Sequence, residues 1–329
     1  MNISYKLLDW IDPNKLDWCV LSQNPKAIDL LKKNKEKIDW EYLCYNKNAI
    51  DLLLENFDQI DWSYLSENEN SILILEKYPE KIEWLSLSEQ PKAIEFLTKN
   101  QDKINWRMLC YNIKAIDLLK KNKDKIDWSF LSYNKNAIEI LKENQDKIDW
   151  NNLSFNKNAI DLLLANQDKI CWSGFSCNPN SVDFLKENID YIDDDCIANN
   201  PNAYEILSNL SEYNEYEALA NSNRKIIELT LSKMGKFEDN QIIHENIDED
   251  DIHYLCFSPV SMDILEKHQD KINNWYFLSE NPSIFKSDYE KMKQNFEPFY
   301  LDIIKEVMRP DRMKRNLELY GYDIEDMFD

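Results

Sequence analysis

The sequence predicts an all-α fold: a right-handed or left-handed α-solenoid of about twelve 22-residue repeats, each with one short and one longer helix. Three observations predict it. Tryptophan recurs every 22 residues from Trp18 to Trp172, which is the self-similarity of a stacked array. An Asn, in several units followed by Pro, precedes an apolar stripe at helical spacing. An Asp or a similar polar residue precedes most of the tryptophans and predicts the start of a second helix.

The repeat unit is clearest between Leu109 and Phe130, with the sequence LCYNIKAIDLLKKNKDKIDWSF. Numbered from its leucine, the unit reads L-S-x-N-x-x-A-I-(D/E)-L-L-x-x-N-x-D-K-I-D-W-x-x. The Asn at position 4 is the predicted N-cap of a helix of about ten residues, here called helix B, whose apolar stripe is positions 7, 8, 10 and 11. The Asn at position 14 can adopt the left-handed conformation that ends a helix.

The second helix, here called helix A, is predicted to span one or two turns and to be capped by the Asp at position 19. At 100° per residue, positions 20, 1 and 2 fall on one face, and positions 21, 22 and 3 fall on the other. The first face carries Trp, Leu and Ser in nearly every unit. We therefore expect that face to be buried against neighbouring repeats.

The tryptophans at position 20 are interpreted as a structural ladder that holds the stack together, because they share the face that a short helix must bury. The alternative is a column of rings that stacks RNA bases, one for each repeat. The burial geometry favours the structural interpretation. The ladder consists of Trp18, Trp40, Trp62, Trp84, Trp106, Trp128, Trp150 and Trp172.

The repeat pattern divides the chain into four regions. Residues 1–20 are predicted to form an N-terminal cap or half-repeat that covers an open end of the array. Residues 21–196 form eight regular repeats, and residues 197–295 form degenerate repeats in which Tyr216 takes the place of Trp and a new unit begins at Leu219. An acidic insertion lies near 232–251, and residues 296–329 are predicted to form a C-terminal helical cap.

Composition excludes several functions. The net charge is −22, and more than half of the excess lies between residues 187 and 251, which disfavours nucleic acid and favours a protein partner with a basic surface. Three glycines are too few for a Gly-rich phosphate loop. No signal peptide and no membrane-spanning run is recognised, so we expect a cytoplasmic protein that is neither secreted nor bound to a membrane.

No catalytic, cofactor-binding or metal-binding residues are predicted, and an enzyme is not expected. Cys44, Cys110 and Cys256 stand at position 2, where Ser is usual, and are interpreted as small buried substitutes. Zinc held by His253 and Cys256 with another His can be imagined, but the repeat already explains Cys256. The acids at position 9, with lysines nearby, indicate a solvated helix face. An acidic ladder for a basic partner is the alternative.

The repeated L-S-x-N-(P/K)-x-A-I-x-L-L-x-x-N-x-x-K-I-x-W unit, followed by R-P-D-R-M-K-R-N-L-E-L-Y-G-Y-D-I-E-D-M, resembles the tandem-repeat proteins of giant, mimivirus-like DNA viruses. The resemblance covers nearly the whole chain. It departs from the family in the units after Cys196 and at Arg309, where a His is expected. It implies a viral protein in the cytoplasm or viral factory of a host cell, and it supplies no catalytic residues.

The expected function is a non-enzymatic scaffold for protein–protein interaction, with RNA binding along the array as the alternative. Positions 22 and 3 of helix A are adjacent on its free face and carry aromatic side chains typical of binding hot spots. The alternative is that these side chains only pack against neighbouring repeats. The candidate partner-binding residues are Tyr42, Tyr45, Tyr64, Met108, Tyr111, Phe130, Tyr133 and Phe155.

Overall fold

The computed structural model describes residues 3–238, 241–296 and 309. Over these residues the chain is a mostly helical repeat array, as the sequence predicts. Most repeats contain helix A, helix B and a 3₁₀ turn that joins helix B to the next helix A. The 3₁₀ turn is absent from the two-helix prediction, because its three residues are mostly polar and too few to show an apolar period.

Helix A begins where the sequence predicts. The backbone of Asp39 is extended, and its carboxylate accepts a hydrogen bond from the Tyr42 N–H at 3.0 Å. This bond satisfies one of the unpaired donors in the first turn. The helices A are Trp18–Gln23, Trp40–Tyr45, Trp62–Glu67, Trp84–Glu89, Trp106–Leu109, Trp128–Tyr133, Trp150–Ser154, Trp172–Cys177, Asp194–Ile197, Glu215–Leu219, Glu249–Leu255 and Trp275–Glu280.

Helix B begins at position 8, so the predicted start at position 4 and length of about ten residues are wrong for most repeats. Asn24 is extended, and its side-chain oxygen accepts from the Lys26 N–H at 3.1 Å, so positions 4 to 7 form a turn. The helices B are Ile28–Lys33, Ile50–Leu54, Ile72–Leu75, Ile94–Lys99, Ile116–Lys121, Ile138–Glu143, Ile160–Leu164, Val182–Glu187, Tyr204–Asn209, Arg224–Lys233 and Met262–Lys267.

The Asn at position 14 ends helix B by a different route from the predicted left-handed conformation. Asn34 has φ −132° and ψ 52°, and its side-chain nitrogen donates to the Leu30 carbonyl at 2.9 Å. The side chain thereby satisfies a carbonyl that the helix end would leave unpaired. The 3₁₀ turns that follow are Lys35–Lys37, Phe57–Gln59, Pro79–Lys81, Lys123–Lys125, Gln145–Lys147, Gln167–Lys169, Ile189–Tyr191, His244–Asn246 and Gln269–Lys271, and two others, Pro91–Ala93 and Pro282–Ile284, follow a helix A.

The core is a continuous strip with one layer in each repeat. In the repeat that begins at Leu109, the fully buried residues include Leu109, Ala115 and Leu119, and Ile126 is nearly buried. Ile126 stands at position 18, which the sequence analysis does not assign to the core. The expected buried face of helix A holds for Leu and Ser, whereas Trp128 is only half-buried.

In most repeats, two buried polar side chains join one helix A and the turn after it to the next helix A. The Asn46 side-chain nitrogen donates to the carbonyl oxygens of Ser22 and Asn24 at 2.9 and 2.8 Å. The Ser22 hydroxyl accepts from the Asp39 N–H at 3.0 Å and donates to the Trp18 carbonyl at 2.7 Å. The Asn at position 4 is therefore an inter-repeat link, because its amide pairs carbonyls that the buried turn leaves free.

A longer helix leads into the acidic insertion, and the insertion contains a hairpin. Helix Arg224–Lys233 has ten residues, and strand β2 (Phe237–Glu238) pairs antiparallel with strand β3 (Gln241–Ile242). Nearby, Asn214 caps the helix Glu215–Leu219, so Glu215 occupies the place of Trp. The assignment of Tyr216 to that place is wrong, because the degenerate sequence hides a shift of one residue.

The first and last described repeats contact each other and close the array. Strand β1 (Tyr5–Leu7) pairs antiparallel with strand β4 (Phe285–Ser287), and helix Trp18–Gln23 packs against helix Trp275–Glu280. The Asn24 side-chain nitrogen donates to the Ser279 carbonyl at 3.2 Å, and the Asp17 N–H donates to the Ser279 hydroxyl at 2.9 Å. We call this contact the seam. It uses the same groups as the links between neighbouring repeats.

The expectation that residues 1–20 cover an open end therefore differs from the structure, in which that end meets the last repeat. Consecutive helices A approach each other more closely than consecutive helices B do, so the array curves towards the helices A. The predicted C-terminal cap at 296–329 lies outside the described residues, except for 296 and 309. Within the described part of the chain, no helix is long and apolar enough to cross a membrane.

Candidate binding surface

The aromatic side chains at positions 22 and 3 meet mainly between consecutive helices A. The ring centroids of Tyr45 and Tyr64 are 5.0 Å apart, and those of Tyr111 and Phe130 are 4.7 Å apart. The pair expected within one helix, Tyr42 and Tyr45, is more distant at 6.4 Å. Position 3 at the end of one helix A thus packs against position 22 in the next helix A.

The candidate residues fall into two clusters. Tyr42, Tyr45 and Tyr64 form the first. The second extends from Tyr111 through Tyr133 to Phe155, with centroid separations of 5.9 and 6.2 Å. Between the clusters, the same two positions carry Glu67, Ser86 and Glu89. The sequence pattern alone does not show that this polar stretch divides the surface.

Exposure separates the candidates further. Tyr133 is 39% exposed and Phe155 is 44% exposed, whereas Tyr42, Tyr45, Tyr64, Met108, Tyr111 and Phe130 are half-buried. Burial, followed by the nearby Glu67 carboxylate, raises the pKa of Tyr45 to about 12. Packing between repeats therefore accounts for much of the surface of the half-buried side chains. Tyr133 and Phe155 present the most ring surface to a partner.

Phe155 packs against the next helix A, Trp172–Cys177. A Cβ atom placed on Gly174, at position 22, would lie 2.7 Å from the Phe155 ring, which is closer than real Cβ contacts. The absence of a side chain at Gly174 therefore lets the ring approach the backbone closely. This close approach holds Phe155 in position while 44% of its surface remains exposed.

A third aromatic cluster lies in the degenerate repeats, where the sequence analysis does not place one. The ring centroids of Phe257 and Phe277 are 4.3 Å apart, and His253 lies 5.2 Å from Phe277. Phe257 is 43% exposed. Counted from Leu255 and Leu278, these two phenylalanines occupy positions 3 and 22. The same positional rule would have found them.

Lysines from the following repeat cover four of the ladder tryptophans, Trp18, Trp106, Trp128 and Trp150. The Lys147 ammonium lies 4.8 Å from the centroid of the Trp128 ring, and Lys125 lies 4.3 Å from Trp106. Such cation–π contacts occupy one face of the indole. The geometry suits a structural ladder better than a stack of bases, because a base would have to displace the lysine.

The histidines divide between two places. His244 and His268 are in contact, with Nδ1 of His244 2.9 Å from Nε2 of His268. His253 instead packs edge-on against Phe257 and Phe277. Cys256 is buried, and burial raises its pKa to about 12. In the described residues, no group of three His, Cys, Asp or Glu side chains is arranged to hold a metal ion.

The acids at position 9 lie on the solvated face of helix B. Glu139 pairs with Lys142 at 3.0 Å, and Asp183 pairs with Lys186 at 3.9 Å, in each case three residues apart. Such exposed pairs contribute little to stability.

A groove of about 720 Å³ lies where the first repeats meet residues 291–295. The Lys291 ammonium donates to Asp29 at 2.6 Å inside it. Its lining is polar and of mixed charge, and it includes Tyr5, Lys26, Asp29, Lys32, Lys47, Asp51 and Lys291. These residues form no constellation of nucleophile and base.

Comparison of the chain with protein-family models, with curated proteins and with solved structures found no match.

Proposed function

We propose that this protein is a non-enzymatic scaffold, an α-solenoid of about twelve repeats, whose helices A bind another protein. The observation that carries the proposal is the pair of exposed rings, Tyr133 and Phe155, on a surface that the core does not require. Rigidly held aromatic side chains are the typical anchors of protein interfaces. Phe155 is held in this way by Gly174.

Because the array is closed and curves towards the helices A, these helices surround an opening that a partner could enter. With helices packed roughly 8–10 Å apart, twelve helices A would surround an opening of about 25 Å. An extended segment or a helix of a partner fits an opening of that size. The net charge of −22 favours a basic partner.

The resemblance to giant-virus repeat proteins extends the proposal. The chain would act in the cytoplasm or viral factory of an infected cell and would bind a host or viral protein. RNA binding is the second candidate. It is disfavoured because the charge repels phosphates and because lysines cover the tryptophans.

Affinity capture from a lysate of infected host cells tests the proposal. The double variant Tyr133→Ser/Phe155→Ser should lose proteins that the unaltered chain retains, with an unchanged circular dichroism spectrum. Tyr204→Ser is the matched control, since Tyr204 is also 39% exposed but lies in helix B. Retention of the same proteins by all three chains would reject this surface. Nuclease-sensitive RNA that co-purifies with the unaltered chain would favour the second candidate.

A further inference from the structure

Two cysteines meet between consecutive helices A. Cys177 stands at position 3, at the end of one helix A, and Cys196 stands at position 22, in the next helix A. These two positions are also in contact elsewhere along the array. The Cys177 thiol donates to the Cys196 carbonyl at 3.3 Å, and the Cys196 sulfur lies 3.0 Å from the Ser173 hydroxyl. Both cysteines are partly exposed.

The other cysteines have different surroundings. Cys44 and Cys110 are buried at position 2, and their thiols donate to tryptophan carbonyls within their own helices. The Cys19 thiol donates to Asp39. Cys171 stands at the cap of the helix that contains Cys177 and forms no side-chain cap bond. The contact between Cys177 and Cys196 therefore reflects the geometry of positions 3 and 22.

We propose that Cys177 and Cys196 form an oxidation site, at which a peroxide converts the two thiols into a disulfide that joins neighbouring helices A. One thiolate attacks the peroxide and becomes a sulfenic acid, with release of one water. The second thiolate attacks that sulfur, the S–O bond breaks, and a second water leaves with the remaining proton. The two sulfurs lose two electrons in total, and one peroxide is reduced to two waters.

The bond would act as a staple between repeats. It closes a loop of about 20 residues between two consecutive helices A, and such a loop restricts the unfolded chain. Disulfide formation requires the Cys196 thiol to exchange its contact with Ser173 for one with Cys177. The expected effect is a rise in melting temperature of about 5 °C for the oxidised chain.

The surroundings of Cys177 also affect the rate at which the disulfide forms. Burial, together with the neighbouring Cys196 thiol, raises the pKa of Cys177 to about 12. Because the thiolate is the reactive form, the oxidation rate should rise about tenfold for each pH unit below that pKa. The site would therefore oxidise slowly at neutral pH and would respond to sustained oxidation.

The test treats the full-length chain with hydrogen peroxide at pH 8, blocks free thiols, and maps disulfides by mass spectrometry after digestion with trypsin. The expected product joins the peptides 170–186 and 187–224, because Lys186 separates the two cysteines. Cys177→Ser should abolish this product. Cys171→Ser is the matched control within the same peptide and should retain it.

Three outcomes would overturn the proposal: no joined peptides in the unaltered chain, joined peptides that persist in Cys177→Ser, or joined peptides that disappear in Cys171→Ser. Cys196→Ser provides a second route to the same result if Cys177→Ser does not fold, as judged by its helix content. The melting temperatures of the oxidised and reduced chains are compared, and Cys177→Ser is treated with peroxide in parallel. A rise that is absent from Cys177→Ser comes from the disulfide and not from other effects of peroxide.

Discussion

The Lys15 ammonium lies 5.2 Å from the centroid of the Trp275 ring, although the two residues come from opposite ends of the described chain. The same contact joins Lys37 to Trp18 at 4.7 Å within the regular array. The seam therefore repeats the cation–π contact, the Asn amide bond and the Ser hydroxyl bond of an ordinary boundary. Its stability should resemble that of the boundaries inside the array.

The first prediction compares a seam residue with its equivalent inside the array. Asn24→Ala and Asn134→Ala each remove a buried amide that pairs carbonyls of the neighbouring repeat. Each should lower the free energy of unfolding by about 1–3 kcal/mol, because those carbonyls lose their partner. Urea unfolding followed by circular dichroism measures both.

Asn136→Ala serves as the control, because its amide makes an exposed bond to the Ile113 carbonyl at 2.8 Å. It should cost less than either buried Asn. In an open array, Asn24→Ala would cost no more than this control. A large loss for Asn134→Ala with none for Asn24→Ala would therefore contradict closure of the ring, and small-angle scattering of the unaltered chain would then show an arc.

The second prediction concerns the tryptophan ladder. Trp128→Ala should lower the free energy of unfolding by about 3 kcal/mol, the lower end for large aromatic truncations, because the ring is only half-buried. Lys147→Ala should cost about 1 kcal/mol or less, since it removes only the cation–π contact. A double-mutant cycle measures how far the two losses overlap.

If Trp128→Ala kept its melting temperature but lost binding to the partner, the ladder would be a functional surface. Lys121→Ala is a suitable control for the lysine, because Lys121 lies on the exposed face of helix B. It should leave the unfolding curve unchanged. A loss equal to that of Lys147→Ala would reject the cation–π explanation.

The third prediction is a loss of stability in weak acid. Lys267 donates to Nε2 of His244 at 3.1 Å, which leaves Nδ1 to donate to His268. Burial, followed by the charge of Lys267, lowers the pKa of His244 below 6.5. Burial, followed by the electrostatic effects of Lys271 and His244, lowers the pKa of His268. Asp263 and Asp270 oppose these shifts but do not reverse them.

The sign of the pH effect follows from these shifts. In weak acid the folded pair binds fewer protons than the same two histidines do in the unfolded chain. The contribution of the pair to the free energy of unfolding is therefore complete above about pH 6.5 and is lost as the pH falls through the lowered pKa values of the folded state. Thermal unfolding between about pH 7.5 and 5 measures it. His268→Asn, which restores the usual residue at position 14, should flatten the profile. An equally steep profile in this variant would assign the effect to other groups.

The period of the tryptophans was sufficient to predict a helical array and the Asp cap of helix A, because both depend on local sequence. The role of Asn46 was not predictable in the same way. An Asn that only caps its own turn and an Asn that also bonds to the preceding repeat occur in the same local sequence. Only the distance between neighbouring repeats in the folded chain distinguishes the two roles. The seam depends on curvature accumulated over many repeats, which no single unit encodes.

The candidate surface was likewise predictable only where it depends on local sequence. Helical spacing correctly placed Tyr133 and Phe155 on the free face of helix A, where both are exposed. It did not predict that Tyr45 and Tyr111 are half-buried by rings of the following helix A, because that contact depends on how neighbouring helices A are offset. Phe257 was missed where the period breaks.

Closure of the array restricts how such a chain can evolve. Near-identical 22-residue units invite recombination that adds or removes whole repeats, and an open array accommodates each change by becoming longer or shorter. A ring must turn through a full circle, so the angle between repeats and the number of repeats determine each other. The gain or loss of one unit would leave Asn24 and Ser279 too far apart or force them to overlap. Selection that preserves the seam would therefore hold the number of repeats constant while their exposed positions diverge.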